Sequence, residues 1–197
     1  MKKTLVVGTG NLGKLREMEA YLSDSGWELT PKPPDLDVDE TGTTFAENAC
    51  LKAVKVAKYT SQWAIADDSG LSVDWLNGAP GVYSARYGNT DGERIGRLLR
   101  ELGNTENRRA EFICAIAVAN PQGEIIFQSE GSCEGEILYE VRGEGGFGYD
   151  PIFYVPEKKL TFAQMSPELK KSISHRGHAL RQFPSCLELT NFPLPGL

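Results

Sequence analysis

The sequence predicts an α/β protein with a mixed β-sheet flanked by helices. Three observations support this class: short apolar runs alternate with helical patterns in the first half, a hairpin signal follows in the second half, and glycine-rich loops join several elements. Alternating strands and helices favour parallel pairing, whereas a hairpin adds antiparallel strands. We therefore expect a mixed sheet in two lobes with a central cleft.

The first half of the chain contains three candidate strands and three candidate helices. The clearest helix begins with a capping box, because Thr44 and Glu47 stand three positions apart before an apolar face. Another apolar run leads directly into Asp67-Asp68, where we expect a strand to end. The predicted strands are residues 5–7, 27–29 and 63–66, and the predicted helices are residues 14–22, 44–59 and 91–102.

The second half of the chain favours antiparallel strands. Residues 112–119 are almost wholly apolar, which is typical of a central strand. A turn at 121–123 leads into a second strand at 124–129, and a third at 133–138 extends the meander. Ser166-Pro167-Glu168 indicates a helix start, and the last predicted helix covers residues 174–189.

Composition excludes several classes of function. The chain has 197 residues, of which 40% are hydrophobic, enough for one sizeable domain or two small lobes. No apolar run approaches the roughly 18 residues that cross a bilayer, so we expect no membrane association. The net charge of −6 argues against nucleic acid as a partner.

The four cysteines, scattered without C-x-x-C spacing, predict neither a zinc site nor a disulfide framework. This usage fits a reducing cytoplasm, with the cysteines as small buried hydrophobic residues. The apolar run after Met1-Lys2-Lys3 is too short for a signal peptide, so secretion is not expected.

A glycine-rich stretch at residues 8–14, G-T-G-N-L-G-K, lies between the first predicted strand and helix. It has three interpretations: a dinucleotide fingerprint, a near P-loop in which Leu15 replaces the hydroxyl that binds magnesium, or a plain strand-turn-helix corner. In each case a helix N-terminus, backbone N–H groups and Lys14 favour a nearby anion. The stretch therefore suggests phosphate without specifying which one.

Paired carboxylates follow the apolar run at 63–66. Asp67 and Asp68 would be costly there unless they bind something, because burial and mutual repulsion both disfavour the charged pair. Magnesium would relieve the repulsion and activate water, and Glu40 could supply a further ligand. The alternatives are that Asp68 caps a turn, Asp67 pairs with a lysine, and Glu40 is a surface carboxylate.

Other polar and aromatic residues could bind substrate. Lys52 could hold a phosphate or could be solvated, and helical spacing does not separate these alternatives. Phe147-Gly148-Tyr149-Asp150 follows further glycines, so its aromatic rings could stack a base or could belong to the core. His175 and Arg176 add hydrogen-bond donors at a helix start.

Taken together, these stretches resemble the Ham1-type inosine/xanthosine triphosphate pyrophosphatases over nearly the whole chain. Each motif alone is modest evidence, but all five in order are highly specific. The motifs are Thr9-Gly10-Asn11-Leu12-Gly13-Lys14; residues 40–49 with Lys52; residues 66–71 followed by 80–87; Gly145-Gly146-Phe147-Gly148-Tyr149-Asp150-Pro151; and Lys170 with Ser174-His175-Arg176-Gly177.

The resemblance implies a fold and a reaction. The fold would be one domain over residues 1–197 with an elongated mixed sheet, two lobes, a central substrate cleft and a homodimeric assembly. The reaction would be magnesium-dependent hydrolysis of a small-molecule nucleoside triphosphate (ITP, dITP or XTP) to the monophosphate and pyrophosphate. Its role would be to clear deaminated purine nucleotides before they enter DNA or RNA.

The resemblance also implies roles for individual residues. Asp68 would bind Mg²⁺ with Glu40, helped by Asp67, and Asp68 is also the candidate general base. Donors around the base would suit the acceptor at C6 of hypoxanthine and xanthine and would oppose the amino group of adenine. The expected substrate-binding residues are Thr9, Gly10, Asn11, Leu12, Gly13, Lys14 and Lys52 for the triphosphate, Ser69, and Phe147, Gly148, Tyr149, Asp150, Lys170, His175 and Arg176 around the base.

Two alternatives come from other classes of protein. An NAD(P)-dependent oxidoreductase built on the glycine stretch would need an acidic residue at the end of the next strand, where only Glu28 is roughly placed. A nucleotide-binding module without activity would use Asp67 and Asp68 only to hold magnesium. Release of pyrophosphate from ITP, with and without magnesium, distinguishes all three.

Overall fold

The computed structural model describes residues 3–183. No helix in that range combines the length and the apolar character that crossing a membrane requires. The strands are β1 (Lys3–Val7), β2 (Trp27–Pro31), β3 (Trp63–Val73), β4 (Arg109–Ala119), β5 (Ile125–Ile137), β6 (Phe153–Val155) and β7 (Leu160–Thr161). The α-helices are α1 (Leu12–Leu22), α2 (Phe45–Thr60), α3 (Asp91–Leu102), α4 (Pro167–Ile173) and α5 (His175–Leu180).

The strands form one mixed sheet in the order β2-β1-β3-β4-β5-β6-β7. β1 pairs in parallel with β2 and β3, with Leu5 opposite Leu29 on one side and Trp63 on the other. β6 pairs antiparallel with both β5 and β7. The predicted α/β class, with a mixed sheet flanked by helices, is therefore confirmed.

The chain divides into two compact units, each with its own hydrophobic core. The first boundary between the units along the chain falls between Asp67 and Asp68. The first unit contains the described parts of Met1–Asp67, Ala115–Ser129 and Ala179–Leu197, and the second contains Asp68–Cys114 and Glu130–His178.

Small side chains form the core of the first unit. On α2, Ala49, Ala53 and Val56 have no exposed surface, as the helical spacing predicts. They pack with alanines of β3 and β4, and such small side chains let a helix approach a sheet closely. The cluster consists of Val6, Leu36, Ala49, Ala53, Val56, Ala57, Ala64, Ala66, Ala115, Ala117 and Ala119.

Aromatic rings dominate the core of the second unit. The ring centroid of Phe112 lies 4.6 Å from that of Phe153 and 5.7 Å from that of Phe162. Tilted and offset pairs of this kind add about 0.5–1.5 kcal/mol each beyond the burial of apolar area. The helix α3 contributes Leu98, which is fully buried, to the same cluster.

The strands predicted at 63–66, 124–129 and 133–138 have wrong boundaries. β3 does not end before Asp67 but continues to Val73, because β4, a neighbour of equal length, keeps its backbone paired. The strands predicted at 124–129 and 133–138 are one strand, β5. Within this strand, a β-carbon at Gly135 would lie 2.6 Å from the Phe153 ring, so glycine permits close strand packing.

The last predicted helix is shorter than expected. α5 ends at Leu180, and its final carbonyl oxygens accept turn hydrogen bonds from Gln182 and Phe183. Phe183 precedes a proline, which disfavours helical backbone at that position. Residues 184–189 of the predicted helix lie outside the described residues.

The described cysteines, Cys50, Cys114 and Cys133, form no disulfide in the structure. Cys114 and Cys133 are buried, as predicted, and burial raises the pKa of the Cys133 thiol to about 11. Cys50 is only partly buried, and its thiol donates to Gln128 Oε1 at 3.2 Å. Cys186 lies outside the described residues.

The capping box of α2 generates a stability prediction. Thr44 Oγ1 accepts a hydrogen bond from Glu47 N–H at 3.1 Å, and the Glu47 carboxylate accepts from Thr44 N–H at 3.2 Å. Hydrogen bonds from the Thr43 backbone and its neighbours lower the pKa of Glu47. Thr44→Ala should lower the free energy of unfolding in urea by about 1 kcal/mol, because it leaves a helix-terminal N–H unbonded.

Thr60→Ala is the matched control at the other end of the same helix. The Thr60 hydroxyl donates to the Val56 carbonyl at 2.8 Å, an acceptor that the helix already uses. Its loss should change stability by less than about 0.5 kcal/mol, since alanine also has the higher helix propensity. Equal losses in the two variants would contradict the capping role.

Candidate active site

The glycine-rich stretch forms the corner between β1 and α1. Gly8 N–H donates to the Ile65 carbonyl at 2.7 Å, and a β-carbon at Gly8 would lie only 3.1 Å from Ala66 Cβ. Asn11 caps α1, accepting from the N–H groups of Gly13 and Lys14 at 2.8 and 3.1 Å. Side-chain oxygens thus hold the loop in shape and place Lys14 in the first turn of the helix.

Within this loop, the remaining predicted residues differ in exposure. Gly10 and Leu12 are exposed, and the space around Gly10 is open. Thr9 Oγ1 accepts a hydrogen bond from Asn11 N–H at 3.1 Å. The loop therefore presents an accessible surface beside the helix N-terminus, where the helix dipole favours an anion.

Lys14 forms an ion pair with Asp67. The Lys14 Nζ lies 3.1 Å from Asp67 Oδ2, and the Asp67 side chain has no exposed surface. The pairing of β3 with β1 ends at Ile65, opposite Val7. Asp67 therefore lies just beyond the end of β1. A fully buried carboxylate needs such a partner to offset the loss of hydration. The lysine pairing considered as an alternative for Asp67 is therefore present.

A second ion pair joins Glu40 and Lys52. Lys52 Nζ lies 2.9 Å from Glu40 Oε1, and Lys52 is buried, so it is not a solvated lysine of the helix surface. The loop before α2 lies close against that helix, since Gly42 N–H donates to Asn48 Oδ1 at 2.8 Å. A β-carbon at Gly42 would approach the same oxygen to 2.7 Å. Glycine is therefore needed where the loop approaches the helix.

The two ion pairs share one property. Each joins a lysine expected to bind phosphate with a carboxylate expected to bind magnesium. Both pairs belong to the first unit, and both lysines have side chains that are at most 15% exposed. The first unit thus contains two cations and two anions that are balanced against each other at low exposure.

In the second unit, Asp68 and Ser69 continue β3. Asp68 is buried, with only 6% of its surface exposed. Ser69 Oγ accepts a hydrogen bond from Arg176 Nη2 at 2.8 Å, although the two residues are 107 positions apart. The fold therefore joins the third and fifth motifs of the sequence. Asp68 lies within a strand, so it does not cap a turn.

The fourth and fifth motifs also meet. Asp150 Oδ2 accepts hydrogen bonds from Lys170 Nζ at 2.6 Å and from Phe147 N–H at 2.8 Å. Lys170 Nζ lies 4.8 Å from the centroid of the Phe147 ring, and Arg176 Cζ lies 6.0 Å from it. Asp150 thus orients the lysine and the aromatic loop together, which leaves a half-buried ring beside two cations.

Tyr149 and His175 lie deeper than the other predicted base-binding residues. Tyr149 belongs to the hydrophobic core, where its hydroxyl donates to the Ser84 carbonyl at 2.9 Å and burial raises its pKa. His175 stacks on Phe112 with a centroid separation of 4.7 Å. Both residues therefore shape the surroundings of the aromatic loop from the core side.

Two residues of this site, Ser84 of the third motif and Asp91 outside every motif, were not among the predicted site residues. Ser84 Oγ accepts from Leu71 N–H at 2.9 Å, so Ser84 links β3 to Tyr149. Asp91 Oδ2 accepts from Gly148 N–H at 2.7 Å, 57 positions away. Sequence signals of helix capping can locate Asp91 at a helix start, but only the fold reveals its partner.

The described residues contain no group of three or more His, Cys, Asp or Glu side chains arranged to hold a metal. Magnesium commonly takes only one or two protein carboxylates and completes its shell with water and substrate phosphates. Asp68, Asp67 and Glu40 are hard oxygen donors of this kind. Their chemistry therefore suits magnesium bound together with a phosphate ligand.

The aromatic loop generates a matched pair of glycine variants. Gly146 and Gly148 both have positive φ, at 74° and 62°. A β-carbon at Gly146 would lie 2.0 Å from Asp150 Oδ2, whereas at Gly148 it would meet no atom within 4 Å. In urea unfolding, Gly148→Ala should cost about 1 kcal/mol of strain.

Gly146→Ala should cost the same strain and, in addition, about 1–3 kcal/mol for the displaced Asp150 carboxylate. The difference between the two variants isolates the contact with Asp150. Equal stabilities would show that Asp150 does not hold the loop as described.

Comparisons with known proteins identify similar chains. A chain from Nostoc sp. named dITP/XTP pyrophosphatase is 69% identical over 179 residues, covering 91% of each chain. A protein of the same name from Synechocystis sp. is 58% identical, covering 91% of this chain and 92% of the relative.

Solved structures agree as well. The Staphylococcus aureus Ham1 protein has a TM-score of 0.80 at 44% identity, covering 95% of this chain and 97% of that one. A HAM1 protein from Coxiella burnetii has a TM-score of 0.81 at 44% identity, covering 91% and 95%. The model of the Ham1 family matches residues 5–186, and the chain belongs to that family.

Proposed function

We propose that the protein hydrolyses the non-standard purine nucleoside triphosphates ITP, dITP and XTP to the nucleoside monophosphate and pyrophosphate. Membership of the Ham1 family and the names of its relatives support this substrate class. The observation that supports it most directly is the two ion pairs, Lys14–Asp67 and Lys52–Glu40. A magnesium triphosphate supplies both an anion for each lysine and a cation for each carboxylate.

The phosphate chain is bound by lysines that exchange partners. Lys14 and Lys52 are each balanced by a carboxylate, so the protein avoids uncompensated buried charge without substrate. On binding, the lysines turn to phosphate oxygens, and the N-terminus of α1 adds a favourable dipole. The Thr9–Gly13 loop beside Lys14 completes this phosphate-binding surface.

The carboxylates released by this exchange, Asp67 and Glu40, suit magnesium together with Asp68. Asp68 and Glu40, with Asp67, would hold the ion together with the triphosphate. Magnesium, when bound, supplies positive charge to the phosphate oxygens and lowers the pKa of coordinated water. The overall charge of −6 opposes a polyanion, so local positive charge is required.

Asp68 is the proposed catalytic residue. Hydrolysis breaks the anhydride between the α and β phosphates: the oxygen of water bonds to phosphorus, and the bridging oxygen leaves. Asp68 accepts the proton of the attacking water, orients the metal, or does both, and its burial keeps its carboxylate in a fixed orientation. Ser69, next along β3, contacts the substrate and is held by Arg176.

The base is recognised by the aromatic loop and its cationic neighbours. Phe147 stacks on the purine, with Lys170 and Arg176 beside its ring. His175, Arg176 and backbone N–H groups provide donors for the oxygen at C6. Adenine has an amino group at that position and would leave these donors unpaired, which a polar site penalises strongly. Asp150, Gly148 and Tyr149 shape the loop.

The biological setting follows from this chemistry. The protein acts in a reducing cytoplasm as a homodimer and clears deaminated purine nucleotides before they are incorporated into nucleic acid. The cysteine usage of the sequence, four cysteines without C-x-x-C spacing, supports the compartment. Family resemblance supports the dimer. Sedimentation of the purified protein would test the assembly directly.

Replacement of Asp68 is the sharpest test of the activity. With ITP and magnesium, Asp68→Asn should lower kcat by about 10² to 10⁴-fold, measured as pyrophosphate release, because it removes proton acceptance and a metal ligand. Asp74→Asn is the matched control, since Asp74 immediately follows β3 and lies exposed 3.8 Å from Arg109. It should retain wild-type turnover.

Magnesium withdrawal with a chelator should abolish pyrophosphate release by the wild-type protein. A module that only binds nucleotides would release none under either condition, and so would an oxidoreductase. Near wild-type turnover of Asp68→Asn would exclude both roles assigned to that residue.

The base preference rests on His175 and Arg176. His175→Ala or Arg176→Ala should reduce the ratio of kcat/KM for ITP to that for ATP by about tenfold or more, because donors to the C6 oxygen are lost. His178→Ala is the matched control on the same helix, where Nδ1 lies 2.7 Å from the Ser132 carbonyl oxygen. An unchanged ratio in both site variants would refute the donor hypothesis.

A further inference from the structure

Asp91 lies outside every motif that resembles the Ham1 family, yet it contacts the aromatic loop directly. It is the first residue of α3, following the cap residue Thr90. Its Oδ2 accepts a hydrogen bond from Gly148 N–H at 2.7 Å. Its Oδ1 accepts from Arg94 Nη1 at 2.6 Å. Both oxygens of this carboxylate are therefore engaged, one with the loop and one with the helix.

The loop around Phe147 is held from two sides. Phe147 N–H donates to Asp150 Oδ2 at 2.8 Å, and the next N–H in the chain, that of Gly148, donates to Asp91. Gly146 and Gly148 both have positive φ, so the loop uses backbone conformations that glycine enters and leaves readily. Two carboxylates on successive N–H groups remove this freedom on either side of the aromatic residue.

The position of Asp91 favours its hydrogen bond to Gly148. A carboxylate in the first turn of a helix is stabilised by the helix dipole, and its hydrogen bond to an amide is charge-assisted. Arg94 restricts the rotamer of Asp91. Arg94 is itself held in place, because its Nε donates to the Gly88 carbonyl at 3.0 Å. The Asp91 carboxylate is thus fixed before any ligand arrives.

We propose that Asp91 is a positioning residue for base recognition, which holds Gly148 so that the Phe147 ring is oriented before the purine binds. This inference rests on the function proposed above. A loop ordered in advance lowers the entropy cost of binding the base. The lysines assigned to the phosphates, Lys14 and Lys52, belong to the other compact unit. Asp91 should therefore affect binding of the base and leave binding of the phosphate chain unchanged.

Three variants test this role. Asp91→Ala removes the acceptor, and Asp91→Asn keeps an acceptor oxygen of similar reach without the charge. Glu93→Ala is the matched control, because Glu93 also carries a negative charge in the first turn of α3 but accepts from Asn89 N–H, at 2.8 Å, and not from the loop. All three proteins are compared for KM and kcat with ITP, for inhibition by inorganic tripolyphosphate, and for hydrogen exchange in residues 143–150.

Asp91→Ala should raise KM for ITP about tenfold, and Asp91→Asn about threefold, since a charge-assisted bond is lost or weakened. Hydrogen exchange in residues 143–150 should accelerate in the same order. The inhibition constant of tripolyphosphate should stay at the wild-type value, because that probe has no base. Glu93→Ala should match the wild-type protein in all three measurements.

Three results would overturn the inference. Wild-type KM in Asp91→Ala would show that the contact is irrelevant to the base. If inhibition by tripolyphosphate weakened by the same factor as KM for ITP rose in Asp91→Ala, the substitution would have disrupted the site in general. Asp91→Asn provides the same comparison if the alanine variant fails to fold. A wild-type protein that releases no pyrophosphate from ITP would overturn the proposed function itself, which the first two results leave intact.

Discussion

Buried charge that must be balanced is the constraint on which the rest of this site depends. Asp67 has no exposed surface on β3, and Lys14 offsets its charge from the first turn of α1. Lys52 is buried on α2 and is offset by Glu40. Removing one partner from such a pair usually costs more than the pair contributes. The glycine-rich corner and the capped helix must therefore hold their lysines in place, which explains the close packing at Gly8 and Gly42.

In the second unit, a carboxylate also balances a buried lysine, but the partner that it holds in place is a loop. A carboxylate at Asp150 accepts from Lys170 and from the backbone of Phe147, so one acidic group orients a cation and an aromatic ring together. Asp91 extends this arrangement to the next amide. Glycine supplies conformations that other residues avoid, and the carboxylates select one of them. The glycine-rich loop can therefore be flexible in sequence terms and still be ordered by the two carboxylates that accept from its backbone.

The core of the first unit allows a lysine to be buried, and the core of the second unit orients polar groups beside aromatic rings. Alanines on α2, β3 and β4 let the helix that contains Lys52 lie close to the sheet, so the lysine is buried near the loop of Glu40. In the second unit, Phe112 and Phe162 form a rigid aromatic layer, and His175 stacks on Phe112. Packing of large rings restricts rotamers, and it therefore fixes the direction of polar groups at its edge.

The sequence by itself determined the class of fold and the capped helix α2 and suggested the proposed site residues, because periodicity, capping and motif spacing are local properties. It also located Lys14, Lys52, Asp67 and Glu40, but not their pairing, since partners far apart in sequence meet only after folding. The long strands β3 and β5 depended on neighbouring strands, which kept Asp67 inside a strand despite a local signal to stop and joined two predicted strands into β5. The contact of Asp91 with Gly148, across 57 positions, was decided by tertiary structure alone, because a carboxylate at a helix start shows no preference for one distant amide until packing places it there.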